Sequence, residues 1–301
     1  MLKYFLGDSM TRKIHDIFDV ILKLIALLYG TEFLRYIGCD CDFEKECNVE
    51  ITTIKGNKLY LDFLCLLKDN TLQHIEFEYP KAEYDDLKRF FNYNITSQVK
   101  HQRLTETAIV NFTKSHLKGK HAKIGKSKSF HPHNFYIGDI EFDKIFENIN
   151  IKATSNEKLT SFEEITLLVR CLEYNFKDKV ETLNFIAELL KKEKLFDEAK
   201  FEFIKTIVKL EIDNLLTKRE KDEIKEEIEM SPQAQETIIQ VIREVNTKVL
   251  AETKEEGIEE GIEKGREEKQ LEIAQNLKET MDDEEISRVT GLTLDRIQNI
   301  K

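Results

Sequence analysis

Three carboxylates in two neighbouring segments have the character of a divalent-cation site. Asp62 interrupts the apolar run from Leu59 to Leu67, and Glu76 and Glu78 lie in the segment Leu72 to Tyr79. A charge inside so apolar a strand is expensive unless it is paired or bound to a metal. Alternation along a strand sets Glu76 and Glu78 on one face and Ile75 and Phe77 on the other. The turn residues Lys68-Asp69-Asn70-Thr71 would fold the second segment back on the first, bringing Asp62 near Glu76 or Glu78. Clustered hard oxygens of this kind suit Mg²⁺ or Mn²⁺.

The elements that must position these groups follow from the hydrophobic period. Residues 9–29 carry Ile14, Ile17, Phe18, Ile21, Leu24, Ile25 and Leu28 at helical spacing, and Gly30 ends the run. Thr31 is placed to cap a short second helix that Gly38 closes. The period then falls to two. Val49 to Thr53, Leu59 to Leu67 and Leu72 to Tyr79 read as a three-stranded meander with turns at Lys55-Gly56-Asn57-Lys58 and at residues 68–71. A helix from about Glu83 to Lys100, a strand from Thr105 to Phe112 and a further strand from Asn134 to Ile140 complete residues 1–150 as an α/β domain with a mixed sheet. From Ser161 onward the spacing is helical, giving a helical region over 151–253. Residues 254–301 form a Gly- and Glu-rich tail in which Gly257, Gly261 and Gly265 recur every four residues. Two short helices around Thr290-Gly291-Leu292-Thr293 resemble a small helix-turn-helix unit. The glycine stripe would permit close helix approach, and hence a homo-oligomer through the C-terminal helices.

The charge balance narrows the partners. Residues 1–150 carry 21 basic and 21 acidic side chains, while residues 151–301 carry 25 and 36, so the net charge of −11 comes entirely from the second half. Inside the neutral half, residues 107–138 hold six lysines, four histidines and no acidic residue. Lys114, Lys118, Lys120, Lys123, Lys126 and Lys128 are therefore the candidates for contact with a phosphate backbone. Val20 to Tyr29, the most apolar stretch, is too short to span a bilayer and contains Lys23. Five cysteines and no secretory leader suit a reducing compartment, so a cytoplasmic protein without a membrane partner is expected. Cys39, Cys41 and Cys47 lack paired zinc-ligand spacing, and His131-Pro132-His133 is an equally weak signal.

The order helix, strand, Asp-bearing strand, turn, Ile-Glu strand, helix, strand resembles the PD-(D/E)XK nuclease superfamily, and within it the recombination-promoting nuclease and putative transposase branch. The residues that carry the likeness are His15-Asp16, Asp62-Phe63-Leu64, Ile75-Glu76-Phe77-Glu78, the Gly257 to Gly265 repeat and Thr290 to Thr293. The resemblance implies a restriction-endonuclease-like core followed by helices. It also implies a Mg²⁺- or Mn²⁺-dependent DNA endonuclease linked to mobile elements or recombination. Asp62, Glu76 and Asp16 would hold the metal, and Asp62, Glu76 and Glu78 would be the catalytic set. The third motif of that branch usually ends in Lys or Gln. Glu78 in its place implies either an extra ligand or base, or an inactive copy that binds nucleic acid or serves in assembly.

Overall fold

A computed structural model describes residues 10–52, 58–116, 121–123, 129–174 and 176–224, scattered positions between 228 and 243, and most of 269–298. The chain forms two compact units, Met1–Lys248 and Val249–Lys301.

The first unit is α/β and is built on a mixed five-stranded sheet. Helix α1 (Met10–Tyr29) precedes the short α2 (Thr31–Tyr36). Strand β1 (Phe43–Glu46) follows, then the hairpin β2 (Glu50–Thr52) and β3 (Lys58–Tyr60), and then β4 (Phe63–Leu67) and β5 (Leu72–Glu78). Helix α3 (Tyr84–His101) connects β5 to β6 (Thr105–Asn111), and β7 (Ala122–Lys123), β8 (Ser129–Phe130) and β9 (His133–Tyr136) complete the strands. The central order is β1-β4-β5-β6-β9. β1 and β5 run antiparallel to β4, whereas β5, β6 and β9 are mutually parallel.

The expected meander is divided. Leu59 to Leu67 is not one strand but β3 and β4, which belong to different sheets and are separated at Leu61-Asp62. The break has a local cause. The Asp62 N–H donates to Glu76 Oε1 at 3.3 Å, and Asp62 Oδ2 accepts from the Phe77 N–H at 2.7 Å, so Asp62 spends its hydrogen bonds on β5 through a side chain rather than on a regular ladder. β1 was not expected from sequence. Its residues Phe-Glu-Lys-Glu are mostly exposed on the sheet edge and lack the alternation that marks a half-buried strand.

α1 is buried on more than one side: Ile17, Phe18, Val20, Ile21, Leu22, Leu24, Ile25 and Ala26 are all inside. It lies between the sheet, where Phe18 stacks on Phe112 at 5.3 Å, and the helices α5 (Ser161–Val169) and α7 (Phe201–Leu215). Lys23 on this helix is 2% exposed and pairs with Glu46 of β1 at 3.2 Å. Gly30 ends the helix at φ +49°. Thr31 does not cap α2. Gly30 takes that position, and the Thr31 hydroxyl accepts from the Phe43 N–H, tying α2 to the edge strand.

α3 covers one face of the sheet. It opens with a reciprocal cap between Glu83 and Asp86, and its Leu87, Phe90 and Tyr93 pack on Leu64, Leu66, Leu72 and Ile109. Helix α4 (Phe142–Ser155), not expected from sequence, runs across residue 150. It is followed by α5, α6 (Lys179–Leu190), α7 and the single turn α8 (Lys218–Lys221). No helix among the described residues is long and apolar enough to cross a membrane.

In the second unit, helices Asp283–Thr290 and Leu294–Gln298 are joined through Gly291 at φ +73°. Ala274, Ile286, Leu292 and Ile297 form their small core. The Gly257, Gly261 and Gly265 stripe lies outside the described residues, as does most of the helical stretch expected from Ile224 to Thr253.

Candidate active site at the carboxyl end of β5

β5 sets His74, Glu76 and Glu78 on the α3 face, two residues apart as the pleat requires. Phe63 opposes Ile75 across β4 and β5, so Asp62 falls opposite Glu76 one position on. Both carboxylates are nearly removed from water, Asp62 at 7% exposure and Glu76 at 2%. Desolvation at this level is tolerated because each carboxylate receives donors. Asp62 accepts from the Phe77 N–H, and Glu76 accepts from the Asp62 N–H and from His74 Nε2 at 2.6 Å.

His74 fixes Glu76 through a chain of bonds that reaches α3. Its Nδ1 lies 3.2 Å from Thr107 Oγ1 on β6. The Asn94 amide donates to Thr107 Oγ1 at 3.0 Å and to the Thr105 carbonyl at 2.6 Å, and Gln98 donates to Asn94 Oδ1 at 2.7 Å. With the amide donating to Thr107, the threonine hydroxyl is available for Nδ1, and Nε2–H is the donor to the carboxylate. The network locks the Glu76 side chain in one orientation, which is what an ion-holding oxygen needs.

Glu78 sits differently. Its Oε1 accepts from Arg89 of α3 at 2.7 Å, and Arg89 also approaches Asp86 at 3.4 Å. Burial pushes the Glu78 carboxyl up to about 8 against the pull of Arg89, while Asp86, Glu76 and Asp19 of α1 raise it further. Carboxylates from β5, α1 and α3 thus crowd one edge, with one guanidinium among them.

Among the expected ligands, Asp62 and Glu76 are brought together and Glu78 stands two residues along the same face. Asp16 lies in α1, one turn before Asp19, and its side chain is outside the described residues. Of the expected phosphate contacts, Lys114 and Lys123 are exposed, whereas Lys118, Lys120, Lys126 and Lys128 lie outside the described residues. Among the described residues no three His, Cys, Asp or Glu side chains converge as a metal-holding group. The Asp62 and Glu76 pair nevertheless suits Mg²⁺, an ion that commonly takes one or two protein carboxylates and completes its shell with water and phosphate oxygens. Burial pushes the Cys39 and Cys41 thiols up to about 12 and about 11.

Sequence reasoning missed His74, Asp19 and Arg89. His74 was legible in principle, because it precedes Glu76 by two residues in the same strand. Asp19 follows Asp16 by one helical turn. Arg89 carried no local signal, since its partner is eleven residues away on another element. No family model matches the chain, and neither a curated protein nor a solved structure does.

Proposed function

We propose that the protein is a metal-dependent DNA endonuclease of restriction-endonuclease-like fold, acting in the cytoplasm on DNA of mobile elements or recombination intermediates. The observation that carries this reading is the juxtaposition of Asp62 and Glu76 across β4 and β5, at the carboxyl side of a parallel strand pair. That is the edge at which open α/β sheets bind their ligands. The order of elements around this pair supports the resemblance to the PD-(D/E)XK nucleases.

In this reading Asp62 and Glu76 hold a Mg²⁺ or Mn²⁺ ion, with Asp16 as the candidate third ligand. When bound, the ion polarises a phosphoryl oxygen and lowers the pKa of a coordinated water. The chain supplies the rest. The Phe77 N–H and His74 hold the two carboxylates in orientation, and α3 excludes bulk water from beneath them. Glu78, whose carboxyl is pushed up to about 8 by burial, is a group on this edge whose protonation changes near neutral pH, so it can exchange a proton there. Arg89 adds a positive charge beside it.

The Arg89 to Glu78 ion pair favours a second reading, because it engages the side chain that replaces the usual Lys or Gln. On that reading the fold binds nucleic acid or assembles without cutting. Plasmid nicking with Mg²⁺ and with Mn²⁺ separates the two. The endonuclease reading expects nicking by the wild type that is lost in Asp62→Ala and Glu76→Ala. Activity surviving both substitutions would overturn the site, and a wild type silent with either metal would leave the binding role.

A further inference from the structure

Beyond the carboxyl ends of β5 and β6, aromatic rings and lysines gather from four segments distant in sequence, on the side of the sheet that meets α1. The Phe112 N–H donates to the Pro80 carbonyl at 2.8 Å, and the Tyr174 N–H donates to the Phe112 carbonyl at 2.6 Å. These two bonds extend the β5 and β6 ladder sideways beyond the ends of the strands, drawing a segment of the helical region onto the sheet. They set Tyr79, which directly follows Glu78, against Tyr174, with ring centroids 5.1 Å apart at 74°. Phe112 and Phe18 back Tyr79 from beneath at 5.7 Å and 4.8 Å. Tyr174 remains 39% exposed although its backbone is pinned.

Two cations border this ledge. Lys81 follows Pro80, and its Nζ donates to Ser115 Oγ at 3.0 Å, joining the loop after β5 to the loop after β6. Lys114 is exposed on the second of these loops. Two acidic side chains on the flanking segments are already matched. Glu173 pairs with Arg170, and Asp139 pairs with His116 at 2.7 Å. What the ledge offers outward is a supported aromatic ring, with Lys81 and Lys114 on the two adjoining loops. An unpaired nucleic-acid strand presents the complementary pair of features, a stackable base and a phosphate. The stacked bases of a duplex cannot lie on the ring without opening.

Resting on the endonuclease reading, we infer that this ledge is a binding subsite for an unpaired strand: Tyr174, supported by Tyr79, stacks a base, while Lys81 and Lys114 hold the flanking phosphates. The helical region thereby contributes a residue to the substrate path, and the substrate class becomes single-stranded DNA or a junction with an unpaired segment.

The test is fluorescence anisotropy of the full chain with a labelled oligothymidylate of about twenty nucleotides and with a duplex of the same length, in EDTA. Leaving out divalent metal makes the result independent of cleavage, so a failure of nicking and a failure of this subsite are distinguishable. The single strand is expected to bind more tightly than the duplex. Tyr174→Ala is expected to weaken single-strand binding about tenfold, in the range of one stacked base, and Tyr174→Phe to retain it. Lys81→Ala combined with Lys114→Ala is expected to lower the slope of log affinity against log salt by about 1.4, or about 0.7 per phosphate contact. Unchanged binding by Tyr174→Ala, equal loss in Tyr174→Phe or a preference for duplex would overturn the inference.

Discussion

Replacing His74 by leucine cuts the network that orients Glu76, and the cost can be worked from the contacts. His74 is fully buried and is bonded to Glu76 at 2.6 Å and to Thr107 at 3.2 Å. His74→Leu keeps an apolar volume in place but leaves Glu76 with only the 3.3 Å bond from the Asp62 N–H. Leaving the buried Glu76 carboxylate without its imidazole donor costs about 3–4 kcal/mol, and the apolar gain of a buried leucine returns about 1 kcal/mol of it. A net loss of about 2–3 kcal/mol lowers the urea midpoint by roughly 1 M at a slope of about 2–3 kcal/mol/M. The double variant His74→Leu with Glu76→Leu removes both polar partners and should recover most of that loss, giving a coupling of at least about 2 kcal/mol. Urea unfolding of wild type, both single variants and the double variant measures the cycle. A single-variant loss below about 1 kcal/mol, or additive effects, would refute the view that His74 secures Glu76.

Two further outcomes concern buried carboxyls. The folded Glu78 carboxyl is raised from 4.5 to about 8, so the folded state holds its proton more tightly than the unfolded chain. Its stabilising contribution is complete below about pH 4.5 and is lost as pH rises toward 8, so Glu78→Gln should flatten the fall in urea midpoint between pH 5 and pH 9; an unchanged slope would argue against it. Glu211 of α7 is fully buried, and among the described residues neither carboxyl oxygen has a hydrogen-bond partner, with burial raising its proton affinity in the same direction. Glu211→Leu should raise stability by about 1–3 kcal/mol, several degrees in Tm by calorimetry, and a Tm equal to or below wild type would count against that burial cost.

What could be read in the sequence depended on how local each signal was. The period of residues 9–29 gave α1, and the Glu83 start gave α3, because amphipathic helices announce themselves within one window. The turn at Asp69-Asn70 gave the hairpin of β4 and β5, where Asn70 takes φ +71° and Asp69 Oδ1 accepts from the Thr71 N–H. β1 stayed hidden because an exposed edge strand carries no hydrophobic alternation. The break at Asp62 stayed hidden because only the tertiary bonds to Glu76 and Phe77 make it favourable. The site divided in the same way. Asp62 and Glu76 were legible as charges in apolar strands, whereas the pairing of Arg89 with Glu78 and the meeting of Tyr79 with Tyr174 needed the packed chain.

Joint binding of a divalent cation by Asp62 and Glu76 is tested most directly by Mn²⁺ binding followed by electron paramagnetic resonance, which requires no turnover. One Mn²⁺ site per chain is expected in the wild type. It should weaken by one to two orders of magnitude in Glu76→Gln and in Asp62→Asn, while Tyr174→Ala leaves it unchanged. Equal Mn²⁺ binding by wild type and both carboxylate variants, or no binding by the wild type at millimolar Mn²⁺, would contradict it.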